Sequence, residues 1–249
     1  MTEIIGIFGD GFSLGSIAAS IVATIVSILA GYYFRIFREW RRMRFIRRVW
    51  FPVSKGAKVD VYLTIREGPA SHRSKRLSLP EVLALKNIER RAKEIDASLN
   101  IISNPVEERS SEKSHLILLG GPKKNALADE VWTEALSRAP FGFSEDFGKL
   151  QSATQTYEPL MGKDGTWDYD FALVAKLRRN DSGSFVFVFA GCHGLGTGGS
   201  TRLMTEDHLL KPLAASVGAA EFFSVVRVNG KNGMPVEASI EEIYQLPKR

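Results

Sequence analysis

The sequence has little of what most catalytic or metal-binding readings require. Cys192 is its one cysteine, which excludes a disulfide framework and any zinc site built from several thiolates. Four histidines, His72, His115, His193 and His208, lie scattered without ligand spacing, so no metal site is expected. There is no Gly-x-Ser-x-Gly elbow, no Walker-type Gly-Lys-Ser/Thr phosphate loop, no internal repeat and no low-complexity tract. The first 34 residues hold no lysine or arginine, and only Glu3 and Asp10 as acids. With 44% apolar and 24% charged residues in 249, the chain is neither disordered throughout nor polytopic.

The absence of charge extends unbroken from Gly11 to Phe34. A helix of this length rises about 36 Å, enough to cross a hydrocarbon core of about 30 Å with some tilt. The pattern predicts a transmembrane helix over 12–34, after a short extracytoplasmic N-terminus over 1–11. A cleaved signal peptide would carry Lys or Arg ahead of its apolar run, where this chain has two acids. Directly behind the span stand Arg35, Arg38, Arg41, Arg42, Arg44, Arg47 and Arg48 against Glu39. Cytoplasmic flanks collect Lys and Arg, so the N-terminus is expected outside and residues 35–249 inside, at the cell inner membrane.

Ile36, Trp40, Met43, Ile46 and Trp50 recur at steps of three or four between these arginines. This stripe predicts a basic amphipathic juxtamembrane helix over 35–51 in the headgroup layer, ended by Pro52; a plain positive-inside stop signal accounts for the arginines equally well. Residues 35–76 hold thirteen Lys and Arg against Glu39, Asp60 and Glu67, and the residues after 76 are slightly acidic. Basicity this local argues against a nucleic-acid partner.

Behind the anchor, residues 52–249 alternate between strand and helix patterns. Val59–Ile65, His115–Leu119, Tyr169–Arg178, Phe185–Ala190, Glu221–Val228 and Ile240–Leu246 read as strands, with a short one at Asn100–Ser103. Leu79–Ala97 reads as a helix with Pro80 and Glu81 in its first turn, and Ser200–Val217 as another. Asn180-Asp181-Ser182-Gly183 marks a turn joining two strands into an antiparallel hairpin. Together these imply an α/β domain, three-layer and Rossmann-like, with a mixed sheet.

Two strands end in glycine. After His115–Leu119 comes Gly120-Gly121-Pro122, with Asn125 placed to cap a helix or meet a ligand. After Phe185–Ala190 come Gly191, Cys192, His193, Gly194, Gly196, Thr197, Gly198 and Gly199. In open α/β sheets ligands bind beyond the carboxyl ends of strands, where bare backbone and helix N–H groups meet an anion. Gly120, Gly121, Asn125, Gly191, His193, Gly194, Gly196, Thr197 and Gly198 are therefore the candidate ligand contacts. On this reading a side chain at Gly196 or Gly198 blocks binding while the domain still folds; the competing reading is that the glycines serve close helix-to-strand packing. His193 is the candidate acid/base group, and Cys192 a weaker candidate nucleophile.

The stretch Ala190-Gly-Cys-His-Gly-Leu-Gly-Thr-Gly-Gly-Ser200 is similar, locally, to the phosphate loop of the tubulin and bacterial division-GTPase family, from which it departs by an inserted residue and Cys192-His193. The wider arrangement, strand–Gly-Gly-Pro-x-x-Asn–helix then strand–Ala-Gly-x-His-Gly-x-Gly-Thr–helix behind an anchor, resembles prokaryotic Rossmann-like proteins in the style of SLOG and TIR-type nucleotide-binding domains of bacterial defence systems. The resemblance covers about residues 59–230 and implies a sensor or effector that binds a nucleotide or related phosphate-bearing ligand. Two alternatives stand beside it: an anchored enzyme that hydrolyses a nucleotide such as a nicotinamide dinucleotide, and a non-catalytic membrane scaffold.

Within the span, Gly15, Ala19, Ala23, Ser27 and Gly31 follow at steps of four. Small residues at this spacing let two helices approach closely in lipid, so self-association is expected. Replacing Ala19 and Ala23 with Ile obstructs that approach and should weaken cross-linking in membranes, by about 1 kcal/mol per site. Undiminished cross-linking of the double variant would count against the stripe.

Overall fold

A computed structural model describes residues 14–50, 56–63, 66–67, 75–76, 78–102, 114–121, 130–131, 133–134, 138–179 and 183–247. The chain divides into two compact units, Met1–Arg44 and Phe45–Arg249. Among the described residues one helix is long and apolar enough to cross a membrane, with a mean hydropathy of 1.9 over its most apolar window and none of that window buried.

That helix, α1, runs without interruption over Leu14–Val49. No glycine or proline falls between Tyr32 and Val49 to break it, and its arginines are good helix formers. The span and the basic segment, predicted as two elements, are thus one. Inside the span Thr24 and Ser27 donate their hydroxyls to the carbonyls of Ser20 and Ala23, each at 2.8 Å. Such back-bonding satisfies each hydroxyl within the helix itself.

The last turn of α1 belongs to the second unit. Ile46, Val49 and Trp50 are fully buried. The Trp50 ring lies 5.5 Å from Phe187, and its indole N–H donates to the Met204 carbonyl at 2.6 Å. The headgroup-layer reading of the apolar stripe therefore fails for Ile46 and Trp50, which turn into protein. Trp40, at 55% exposure, remains an outward-facing position. Pro52 lies outside the described residues.

In chain order the second unit then contains β1 (Lys58–Leu63), β2 (Arg66–Glu67), β3 (Lys75–Arg76), α2 (Leu79–Glu94), β4 (Ser98–Ile102) and β5 (His115–Leu119). There follow β6 (Phe141–Phe143), β7 (Leu150–Ser152), β8 (Thr156–Tyr157), β9 (Leu160–Met161), β10 (Trp167–Arg179) and β11 (Ser184–Gly191). Next come α3 (Gly194–Ser200), α4 (Arg202–Thr205), α5 (Asp207–Val217), β12 (Phe222–Lys231) and β13 (Met234–Gln245). Ser78 and Glu81 form a capping box at the start of α2, so Glu81 is a structural acid.

The main sheet has eight strands in the order β13-β12-β10-β11-β5-β1-β4, with β9 added beside β10. Pairing is parallel among β4, β1, β5 and β11, and antiparallel from β11 through β10 and β12 to β13. The predicted mixed sheet and the β10–β11 hairpin, with Arg179 opposite Ser184, are both present. β11 is buried from Ser184 through Ala190, which explains its unbroken apolar run. One face, carrying Phe187 and Val228, packs against Trp50 and the α3 segment. The other buries Leu173, Ala175, Val186, Val188 and Phe223 beneath Phe141, Leu150 and Tyr157 of a three-stranded sheet, β6-β7-β8.

Trp50→Ala removes a fully buried indole and should cost about 3–5 kcal/mol in urea unfolding of the detergent-solubilised chain. Trp40→Ala should leave that transition in place. Equal effects from the two variants would contradict this division of the stripe.

Candidate functional site

β5 and β11 are parallel neighbours, with Leu119 opposite Phe189. Just past β5 the Gly120 N–H donates to the Phe189 carbonyl at 3.0 Å, and Gly120 holds a φ of 111° that favours glycine. A Cβ on Gly121 would stand 3.7 Å from the Gly191 carbonyl oxygen. The two glycine-rich strand ends, 70 residues apart in sequence, therefore adjoin at the carboxyl edge of the parallel strands. Pro122 and Asn125 lie outside the described residues.

The second glycine stretch differs from its sequence reading. Helix begins at Gly194, with His193 as N-cap, instead of at Ser200, and breaks into α3, α4 and α5. Leu195 through Ser200 are all buried. A Cβ on Gly196 would come within 2.6 Å of both the Asp170 Oδ2 and the Phe171 carbonyl oxygen. One on Gly198 would strike Pro80 of α2, and one on Gly199 the side chain of Val228. The expectation that a side chain at Gly196 or Gly198 leaves the fold intact is thus overturned, because glycine here lets α3 touch β10, β12 and α2 directly.

The N–H groups at the start of α3 meet a carboxylate of the protein itself. Asp170 Oδ2 accepts from the His193 N–H at 3.0 Å and from the Gly196 N–H at 2.6 Å. Its Oδ1 accepts from the Phe171 N–H at 2.8 Å. Asp170 has no solvent exposure. Burial pushes its carboxyl up to about 7, with the three N–H groups pulling the other way.

The remaining predicted residues fit around this arrangement. Thr197 Oγ1 accepts from the Gly191 N–H at 3.0 Å, closing the loop. The His193 imidazole stacks on Trp167 at 3.8 Å between centroids and 12° between planes. The Cys192 thiol is pushed well up, by burial first and then by neighbouring Asp170, which removes the thiolate that a nucleophile needs. Gly191, His193, Gly194, Gly196, Thr197 and Gly198 are thus gathered in one place, with Gly120 and Gly121 next to them. Among the described residues no group of three or more His, Cys, Asp or Glu side chains could hold a metal ion.

A second buried charge lies on the same strand. Lys176 is fully buried, donates to the Ala219 carbonyl at 3.1 Å and sits 4.6 Å from the centre of the Phe185 ring. Burial lowers its pKa to about 7. His115, buried beside it, is lowered to about 4 by burial and then by Lys176, and its Nδ1 accepts the Phe185 N–H at 3.0 Å.

No family model matches the chain, and no curated protein matches it. The site accordingly rests on its own geometry.

Sequence reasoning missed Asp170, Trp167 and Lys176. The available signal was a pair of charges, Asp170 and Lys176, within the apolar run of a strand flanked on both sides.

Folded Asp170 holds its proton more tightly than an ordinary carboxyl of pKa 3.8. Its stabilising contribution is complete below that value and disappears as pH rises through about 7. Lys176 acts in the opposite sense, favouring the fold increasingly as pH climbs from about 7 towards 10.5. Melting temperatures of Asp170→Asn across this range should lose the decline on the acid side, and those of Lys176→Met the rise on the alkaline side. Curves parallel to the parent in both variants would refute these titrations.

Proposed function

We propose that this chain is a single-pass membrane protein whose α/β domain lies on the cytoplasmic side of the inner membrane. There it binds a nucleotide or related phosphate-bearing ligand and acts as a sensor or effector. The observation that carries the reading is the meeting of Gly120-Gly121 and Gly191 at one edge of the sheet. Gly120-Gly121, at the end of β5, also border the divide between β5 and β1, where connections part: β1 leads to β4 on one side while β5 has β11 on the other. Such a divide, at the carboxyl ends of parallel strands, is where open α/β sheets take ligands. The stacked His193–Trp167 pair stands two residues past Gly191 and offers a flat apolar border. A role in bacterial defence follows only from the resemblance to SLOG and TIR-type domains.

Asp170 changes where the ligand's charge is held. A carboxylate already fills the start of α3, so Gly194–Gly199 serve as a packed support and the contacts shift to Gly120, Gly121 and the outer edge of Gly191. The close approach of Gly196, Gly198 and Gly199 to their neighbours favours, as a second reading, a non-catalytic scaffold with purely structural glycines.

Gly121 separates the two readings, because a Cβ there meets the Gly191 oxygen at ordinary contact distance. Gly121→Ala should melt like the parent and bind ADP at least tenfold more weakly in calorimetry of the full-length protein in detergent. Unaltered ADP binding, or none by the parent, would favour the scaffold. In right-side-out vesicles protease should spare the domain, and its digestion would reverse the orientation.

A further inference from the structure

Arg227 lies on β12 between Phe171 of β10 and Ser239 of β13. Its guanidinium carbon is 4.0 Å from the centre of the Tyr169 ring. Tyr169 stands edge-on to Phe171 at 5.7 Å, and Phe171 is part of the core. Arg227 is partly buried, and its Nε is sealed from solvent with no hydrogen-bond partner.

The carboxylates on β13 beside it are engaged by neutral donors. Glu237 accepts from the Asn229 amide at 3.1 Å, Glu241 from the Ser239 hydroxyl at 3.1 Å, and Glu242 from the Tyr157 hydroxyl at 2.6 Å. Among the described residues no acid forms an ion pair with Arg227. Arg91, whose Nε likewise lacks a partner, differs in its charge balance: it pairs with Glu94 and Asp207 and also donates to the Thr205 carbonyl. An aromatic face attracts a cation but offers no lone pairs to the N–H donors in the guanidinium plane. A partly desolvated guanidinium with unused donors is a ready receptor for a phosphate, which matches its fork with two oxygens.

The position fits the ligand reading. Ala172 pairs with both Gly191 and Val226, so Arg227 is one residue past the level of Gly191 on the same edge of the sheet. β12 is three strands from β5, a separation of about 14 Å at the usual strand spacing. A nucleotide-sized molecule spans that distance.

We propose that Arg227, backed by Tyr169, receives the phosphate of the ligand bound at this edge. The inference rests on the phosphate-bearing ligand reading and adds an anion contact on β12 to the contacts at Gly120, Gly121 and Gly191.

The test is calorimetry and thermal melting of the full-length protein in detergent at low salt, with inorganic pyrophosphate, ADP and adenosine as probes. Pyrophosphate and ADP should bind the parent and raise its melting temperature. Arg227→Gln should weaken both at least tenfold, and Arg227→Lys should recover only part of the loss. Without anion, Arg227→Met should melt at or above the parent, since it removes a partly buried charge that lacks a counterion. Pyrophosphate should then no longer raise its melting temperature. Undiminished pyrophosphate binding by Arg227→Gln, no anion binding by the parent, or a much lower melting point of Arg227→Met without anion would each overturn the assignment. Gly121→Ala keeps the two ideas apart. If it spares ADP binding while Arg227→Gln abolishes it, the phosphate contact stands and the glycine strand-end reading falls; the opposite result sinks Arg227 and preserves the strand ends.

Discussion

The architecture around the glycine-rich turn depends on one buried carboxylate. Asp170 supplies acceptors to three backbone N–H groups, two of them at the point where the chain leaves β11 and turns into α3. With no solvent to satisfy them, those donors would otherwise be orphaned, and an orphaned buried donor costs about 1–3 kcal/mol. The carboxylate in turn needs the donors, because burial disfavours its ionised form. Each side makes the other tolerable, and glycine at position 196 follows from how closely the two must approach, whereas Gly198 and Gly199 make room for Pro80 and Val228.

This arrangement explains why a composition that suggests anion binding does not deliver it at the expected place. A glycine stretch at a strand-to-helix turn is compatible with two structures, one cradling an external anion and one packed around an internal one. Their local sequences are alike. What separates them is a residue more than twenty positions upstream, Asp170, whose role depends on β10 lying beside β11. Long-range pairing of this kind is set by tertiary packing and leaves little trace in local patterns.

Much of the fold was legible because it rests on periodicity. The apolar runs His115–Leu119 and Phe185–Ala190 read as strands because both faces of each are covered, and the Asn-Asp-Ser-Gly composition between β10 and β11 signalled the hairpin that their pairing shows. The span was legible from its absence of charge. Residues 141–161 were not, because β6 to β9 are two or three residues each, too short to display a period. The segmentation of α3, α4 and α5 was hidden as well: helix starting inside a glycine run contradicts intrinsic propensity, and packing overrides it. At the site, the adjoining of Gly121 and Gly191 needed the strand order, which no spacing in the sequence reveals. Trp50 was visible as an apolar position, but whether it met lipid or protein depended on Phe187 and Met204, far away in the chain.

The continuity of α1 into Ile46, Val49 and Trp50 bears on how the protein is made and dismantled. The span is synthesised first, and the last turn of the same helix supplies core side chains to a domain whose strands emerge later. The domain therefore completes its interior only on a chain whose long apolar helix has already been made. A protease cutting just after Trp50 would not free an intact soluble fragment but a body lacking part of its interior. Shedding of a stable domain would require a cut ahead of Phe45, within the arginine-rich helix itself, where continuous backbone hydrogen bonding resists the extended conformation that proteases bind.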